Sequence, residues 1–300
     1  MPFDFDSWTA ERTEQVNQAL DQACGASVVR LSDAMRYSLL AGGKRIRPLL
    51  CIAASEAVGG TVEQAMPGAV ALEMIHTFSL IHDDLPAMDD DDLRRGSPTN
   101  HKQFDEATAI LAGDALQALA YRVLLRSGSP YAAESAETLA DACLRMCAGQ
   151  VADLEAEGTE LSLAELQLLH YRKTGALLMA SVHIGVLLGG GKGAVSHGFY
   201  ENENAGNRYR SLETYSKDIG IAFQIVDDIL DVTESSETLG KPANSDLKHD
   251  KATYPKLVGL DHSRHLAGEA LTNALEALEE FDDRAEPLRE LARRIVERNA

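Results

Sequence analysis

The feature that most constrains this chain is a helical repeat of apolar residues that recurs along almost its whole length. Within residues 62–82, Val70, Met74, Phe78 and Ile81 stand three or four apart, the spacing that lines up side chains along one face of an α-helix. Residues 107–126, 132–155, 163–188 and 212–232 have the same character, as does 264–299, where Pro287 predicts a break. Ala and Leu dominate these stretches, and no alternating run of β-branched residues interrupts them. The sequence therefore predicts an all-α fold. Breakers fall between the stretches, at Gly59-Gly60, Gly96-Ser97-Pro98, 127–130 and 189–191. No linker-like composition, fixed-period repeat or charge shift divides the chain, so one helical domain over 1–300 is expected. Residues 192–210, polar and glycine-containing, read as a loop.

Charge narrows the function. Asp and Glu number 47 against 28 Lys and Arg, a formal charge of −19, which excludes the basic face that nucleic acid requires. The N-terminus carries acids where a signal peptide needs a basic flank. Residues 174–191 hold no formal charge, yet several glycines, His183 and two hydroxyl residues make them a buried helix rather than a membrane span. The four cysteines, Cys24, Cys51, Cys143 and Cys147, are too sparse for a disulfide scaffold and read as core thiols; Cys143 and Cys147 are spaced to face each other on a helix. A cytoplasmic protein is expected.

Two groups of aspartates sit inside or beside apolar helices. Residues 223–231, FQIVDDILD, place Asp227, Asp228 and Asp231 among Ile225, Val226, Ile229 and Leu230. Burying three unpaired carboxylates would be costly. Asp227 and Asp231, four apart, share a helix face with Asp228 beside them, and they repel unless a cation lies between them. The first group, Asp83, Asp84 and Asp89 within DDLPAMDDDDLRRG, cannot converge on one straight helix, because six residues turn through about 600°. Pro86 disfavours helix at Leu85, so the chain can end its helix there and fold Asp89 back toward Asp83. Asp90–Asp92 read as a solvated acidic end. Hard oxygen donors with no cysteine point to Mg²⁺.

The scarce cations are clustered too. Lys44, Arg45 and Arg47 fall within GGKRIRP, Arg94-Arg95 follow the acidic run, Lys173-Thr174-Gly175 interrupts an apolar stretch, and Lys241, Lys248 and Lys251 trail the second group. With two carboxylate groups of the kind that hold Mg²⁺, they suggest a ligand with more than one phosphate.

At this point the chain resembles a known family. DDLPAMDDDDLRRG resembles the first aspartate-rich motif of the trans-isoprenyl diphosphate synthases and FQIVDDILD the second, with GGKRIRP, KTG and LGK…DLKHDKATYP in the family's order, together spanning about 36–260. The four-residue spacer of the first motif is similar to the bacterial short-chain, farnesyl-producing type. The resemblance implies an orthogonal helix bundle around a deep central cavity, and a homodimer. It implies that Asp83, Asp84 and Asp89 hold two Mg²⁺ on an allylic diphosphate, and that Asp227, Asp228 and Asp231 hold a third, about three ions in all. By position, Arg94, Lys173, Thr174, Gln224, Lys241 and Lys251 would contact the allylic diphosphate. Lys44, Arg47, His76 and Arg95 would bind isopentenyl diphosphate, while Gln150 and Asp153 would line the cavity or support it.

The reaction so implied ionises the allylic C–O bond, adds isopentenyl diphosphate and loses a proton, in a cavity dry enough to protect a carbocation. Phe78, five residues before Asp83, and its neighbour Ser79 stand where the resembling family sets product length, an aromatic there going with a fifteen-carbon product. Geranylgeranyl and geranyl diphosphate are the alternative products. A non-catalytic subunit of the same fold is a further alternative, against which both intact carboxylate groups count. A terpene cyclase would not need Lys44, Arg47 and Arg95.

Overall fold

Thr61 opens the helix that carries the first aspartates. Its Oγ1 accepts the Gln64 N–H at 3.3 Å while Gln64 Oε1 accepts the Thr61 N–H at 2.9 Å, a reciprocal cap that satisfies two otherwise orphaned donors. The computed structural model describes residues 3–25, 28–156, 158–190, 203–233 and 252–297, with side chains from 208 in the fourth stretch. Its helices are α1 (Phe5–Ala23), α2 (Val29–Leu39), α3 (Ile46–Ala57), α4 (Val62–Asp83), α5 (Asn100–Gln103), α6 (Glu106–Leu125) and α7 (Ala132–Ala156). They continue with α8 (Leu163–His170), α9 (Ala176–Leu188), α10 (Glu203–Thr233), α11 (Tyr254–Val258), α12 (Leu260–Glu276) and α13 (Glu286–Val296).

The fold is all-α; among the described residues the sheet structure is one hairpin of two-residue strands, β1 (Leu93–Arg94) with β2 (Ser97–Pro98). Its turn, Arg95-Gly96, has φ of 53° and 76°, the left-handed pair that lets two strands reverse without splaying. α4 is the centre of the assembly. It packs on α3, α6 and α9, and its buried residues, among them Ala69, Leu72, Met74 and Phe78, face all round the helix. A helix that is apolar on every side has to be surrounded by others. The main core runs from Trp8 on α1 to Ile295 on α13. A second cluster, Leu166, Ile225, Val226, Ile229, Tyr254 and Ala267, joins α8, α10, α11 and α12 around the second aspartate group.

Several boundaries depart from the sequence reading. Three helices precede Val62, where the pattern names none. The predicted helix 163–188 is split by a π-helical turn, Tyr171–Gly175. Residues 203–210 of the predicted loop are the first turns of α10, while 192–202 lie outside the described residues. The last segment breaks before Pro287 rather than at it: α12 ends at Glu276, and Pro287 sits in the first turn of α13, where a missing N–H costs nothing. The uncharged stretch after Lys173 becomes α9, with Leu177, Val182, Ile184 and Leu187 all buried, as a core helix requires. Among the described residues, α6 is the one helix long and apolar enough to cross a bilayer, and it packs on α4.

Candidate active site

α4 ends at Asp83, with Asp84 as its cap, and the chain then reverses as Pro86 predicts. The Asp89 N–H donates to the Asp83 carbonyl at 2.9 Å, and the Asp90 N–H to that of Leu85 at 3.2 Å. Asp89 is thereby folded back beside Asp83. Burial pushes the carboxyls of both Asp83 and Asp84 up to about 6. The cation of Lys173 works against burial at Asp83, while the charge of Asp89 adds to it.

The Arg95-Gly96 turn sends two adjacent arginines to different partners. Arg94 Nε donates to Asp84 at 2.9 Å and its Nη2 reaches both Asp84 and Asp91, the latter at 3.1 Å. The Arg95 guanidinium donates to the Gly42 carbonyl, tying the hairpin to the GGKRIRP loop. The acidic end is not merely solvated: Asp91 pairs with Arg94, and Asp92 with Lys102 at 2.8 Å.

The three cations of GGKRIRP have three different fates. Arg45 is structural, paired with Glu73 at 2.6 Å where both side chains are almost fully enclosed. Arg47 is buried and lines a cavity. Lys44 is exposed and faces a separate groove with Thr9, Ile46 and Arg294, so the structure does not bring it to the cavity that Arg47 lines. His76 does line that cavity. Burial first, and then the cations of Arg47, Arg95, Arg94 and Arg45, hold its ring well below the usual histidine range, so it is neutral at neutral pH.

Lys173 and Thr174 lie in the π-helical turn between α8 and α9. Such one-turn widenings recur at functional sites. Lys173 Nζ donates to Asp153 Oδ2 of α7 at 2.6 Å. This close approach depends on Gly149, where a Cβ would lie 2.4 Å from the Lys173 backbone N and 2.7 Å from its Cα. The sequence alone does not single out Gly149 for this role.

One cavity of about 390 Å³ gathers these elements. Arg47, His76, Asp83, Lys173, Thr174 and Gln150 give it polar groups, and Phe78, Ser79, Leu80, Met88, Met146 and Leu154 line it further. Phe78 and Ser79, singled out in the sequence, both line this cavity. The sequence reading reaches α7 through Gln150, which lines the cavity, and Asp153, which pairs with Lys173; the rest of its wall, Met146, Cys147, Val151 and Leu154, is not marked by any local motif. Cys147 is a correction: it is an exposed thiol on the cavity wall, while Cys24, Cys51 and Cys143 are buried.

The second aspartate group lies on α10. Asp228 and Asp231 are buried, and Asp227 and Gln224 are half-buried. Asp228 Oδ2 accepts the Tyr254 N–H at 2.9 Å, which joins α10 to α11 and explains how one of these carboxylates tolerates burial. Asp231 lies deeper than Asp227, so the two are less alike than their four-residue spacing implies. Lys241, Lys248 and Lys251 lie outside the described residues. All the carboxylates offer hard oxygen donors, the class that Mg²⁺ takes.

The chain is similar to known proteins along almost its whole length. Residues 28–291 match the family described as polyprenyl synthetase. A chloroplastic geranylgeranyl pyrophosphate synthase of Capsicum annuum is 47% identical, over 99% of this chain and 80% of its own. The crystal structure of an FPP/GFPP synthase from Zymomonas mobilis superposes with a TM-score of 0.82 at 35% identity, covering 97% of this chain and 98% of that one. A polyprenyl synthase from Caulobacter crescentus, complexed with calcium and isoprenyl diphosphate, superposes with a TM-score of 0.86 at 28% identity, covering 99% of this chain and 97% of that one.

Proposed function

From a chain that belongs to the polyprenyl synthetase family and is a trans-prenyltransferase, we propose a Mg²⁺-dependent condensation of isopentenyl diphosphate with an allylic diphosphate, carried out by a single helical domain over 1–300. The observation that carries it is the one cavity that joins Asp83, Lys173, Thr174, Arg47 and His76 to an apolar wall. Asp83, Asp84 and Asp89 at the end of α4 would hold metal, as would Asp227, Asp228 and Asp231 on α10. When bound, Mg²⁺ neutralises charge that develops on the departing diphosphate. Lys173 and Thr174 orient the allylic diphosphate, with Arg94, Gln224, Lys241 and Lys251 as further contacts. Arg47, Arg95 and His76 take the second diphosphate; Lys44, which faces the separate groove, does not. Phe78, Leu80, Met146 and Leu154 exclude the water that would quench a carbocation.

The product we propose is geranylgeranyl diphosphate, the activity in the name of the pepper relative. A second reading, farnesyl diphosphate, is favoured by Phe78, a buried aromatic on the cavity wall where a growing chain must pass. Labelled isopentenyl diphosphate, offered with dimethylallyl, geranyl and farnesyl primers, separates the two by chromatographic chain length. In either case Phe78→Ala should lengthen the product by at least one isoprene unit; an unchanged length removes Phe78 as the stop.

Two further expectations follow from the site. Gly149→Ala should push Lys173 from its place, and a displacement of about 1 Å lowers turnover about a hundredfold; kinetics with near wild-type rates would free Lys173 of that role. The second concerns pH. Asp83 and Asp84 titrate near 6 rather than in the ordinary carboxylate range. In the metal-free protein they therefore favour the fold below about pH 4, and that contribution is lost as pH rises through about 6. Below that point Mg²⁺ must also expel their protons. Mg²⁺ should thus raise the melting temperature clearly at about pH 7.5 and little at about pH 5; equal shifts would argue against these ligands.

A second copy of the chain is the partner we propose. Leu111 and Leu125 on α6 and Leu144 on α7 are exposed, Leu144 by 70%, and exposed apolar side chains of this size suit a symmetric contact. The pepper relative's name places it in the chloroplast; for this chain we propose the cytoplasm.

A further inference from the structure

Phe78 does not stand alone in the cavity wall. His82, one helical turn further along α4, sets its ring edge-on against the Phe78 ring, centroids 5.0 Å apart and planes at 81°. His82 is fixed in turn from α6. Its Nε2–H donates to the Ile110 carbonyl at 3.0 Å, so that nitrogen carries its proton into a helix rather than turning a lone pair to a metal. Gly113, three residues after Ile110, leaves the ring its space: a Cβ at this position would lie 2.2 Å from His82 Nε2 and 2.6 Å from Cδ2. A side chain gripped on two sides by a neighbouring helix has one rotamer to occupy.

We propose that His82 is a positioning residue for product length. Held by the Ile110 carbonyl and seated in the gap at Gly113, it keeps the Phe78 ring across the path of the growing prenyl chain. The inference rests on the prenyltransferase reading above and adds to it. The consequence is that product length depends on Gly113, which is not among the residues lining the cavity. An added methyl group there meets the end of a side chain rather than backbone, so it should displace the His82 ring and leave α4 in place.

The test compares chain-length distributions from the wild type, Phe78→Ala, His82→Ala, Gly113→Ala and the double variant Phe78→Ala/His82→Ala, each with geranyl diphosphate and excess isopentenyl diphosphate. His82→Ala and Gly113→Ala should each move part of the product at least one isoprene unit beyond wild type. The double variant should give the same lengths as Phe78→Ala alone, because His82 acts only through that ring. His82→Gln, which keeps a donor for the Ile110 carbonyl but has no ring, should lengthen the product as His82→Ala does. A merely structural role would lower yield or melting temperature without moving product length. Unchanged lengths in both His82→Ala and Gly113→Ala, alongside a lengthened Phe78→Ala product, overturn the inference and leave the activity standing. Further lengthening in the double variant also overturns it, since His82, which itself lines the cavity, would then set length by its own bulk rather than by holding the Phe78 ring. If the wild type condenses no primer, the activity itself fails, and this result is distinct from either of the others.

Discussion

Asp83→Ala is expected to lower turnover about a thousandfold while leaving the protein folded. A metal ion that neutralises a leaving diphosphate contributes several kcal/mol in the transition state, and about 4 kcal/mol corresponds to three orders of magnitude in rate. Asp83 is at the C-terminal end of α4, with Asp89 folded back onto its carbonyl and Lys173 close enough to favour its charge. Removing the carboxylate should therefore remove metal affinity and rate together. It should not unfold the protein, because burial already disfavours the charged form, and an uncharged side chain relieves that cost. Turnover and melting temperature should thus separate: the first collapses and the second holds or rises. A variant that keeps its rate would mean that the metal is held elsewhere.

Glu73→Ala should have the largest effect on stability. Arg45 is enclosed at the start of α3, and its guanidinium donates to Glu73 Oε1 at 2.6 Å, to Asn17 Oδ1 at 2.9 Å and to the Leu39 carbonyl at 2.7 Å. These contacts bind α1, the end of α2 and α4 around one cation. Replacing a buried pair by well-packed apolar residues is often neutral, but removing one partner leaves a buried charge without its counter-charge, which costs about 3–5 kcal/mol. Urea denaturation should show a loss of that size for Glu73→Ala and a smaller one for Glu73→Gln, which keeps an acceptor. A loss below about 1 kcal/mol would show that water reaches Arg45. The same substitution should raise KM for isopentenyl diphosphate, because Arg45 anchors the start of α3, which carries Arg47 into the cavity.

What the sequence makes legible follows from range. The helices from Val62 onward announce themselves because their apolar residues repeat within a single element. The reversal at Pro86 is legible for the same reason, since a proline constrains the residue immediately before it. Asp83, Phe78, Lys173 and Thr174 stand out in the sequence because each lies in or beside a short motif, and all four line one cavity. The partnership of Arg45 with Glu73 is not readable: 28 residues separate them, and a three-cation motif does not say which cation turns inward. Lys44, next to Arg45, points to a different groove for the same reason.

The π-helical turn at Tyr171–Gly175 is equally hidden. Its side chains have ordinary helical character, and its close approach to α7 at Gly149 joins residues more than twenty apart in the chain. Pro287 misleads in the opposite direction. A proline inside a periodic stretch predicts a break, but in the first turn of a helix it is tolerated, so the break falls several residues earlier. Asp227 and Asp231 share a spacing but not an environment, because α11 and α12 cover part of the α10 face.

The central claim is that a cavity flanked by carboxylates and cations joins two diphosphate substrates with the help of Mg²⁺. Its most direct measurement is the incorporation of labelled isopentenyl diphosphate into longer prenyl diphosphates, with geranyl diphosphate as primer, in excess Mg²⁺ and again after chelation. The account predicts rapid incorporation with Mg²⁺ and near-complete loss with the chelator, reversed when the metal is restored. Absence of condensation with geranyl or any other allylic primer in the presence of Mg²⁺ would contradict it.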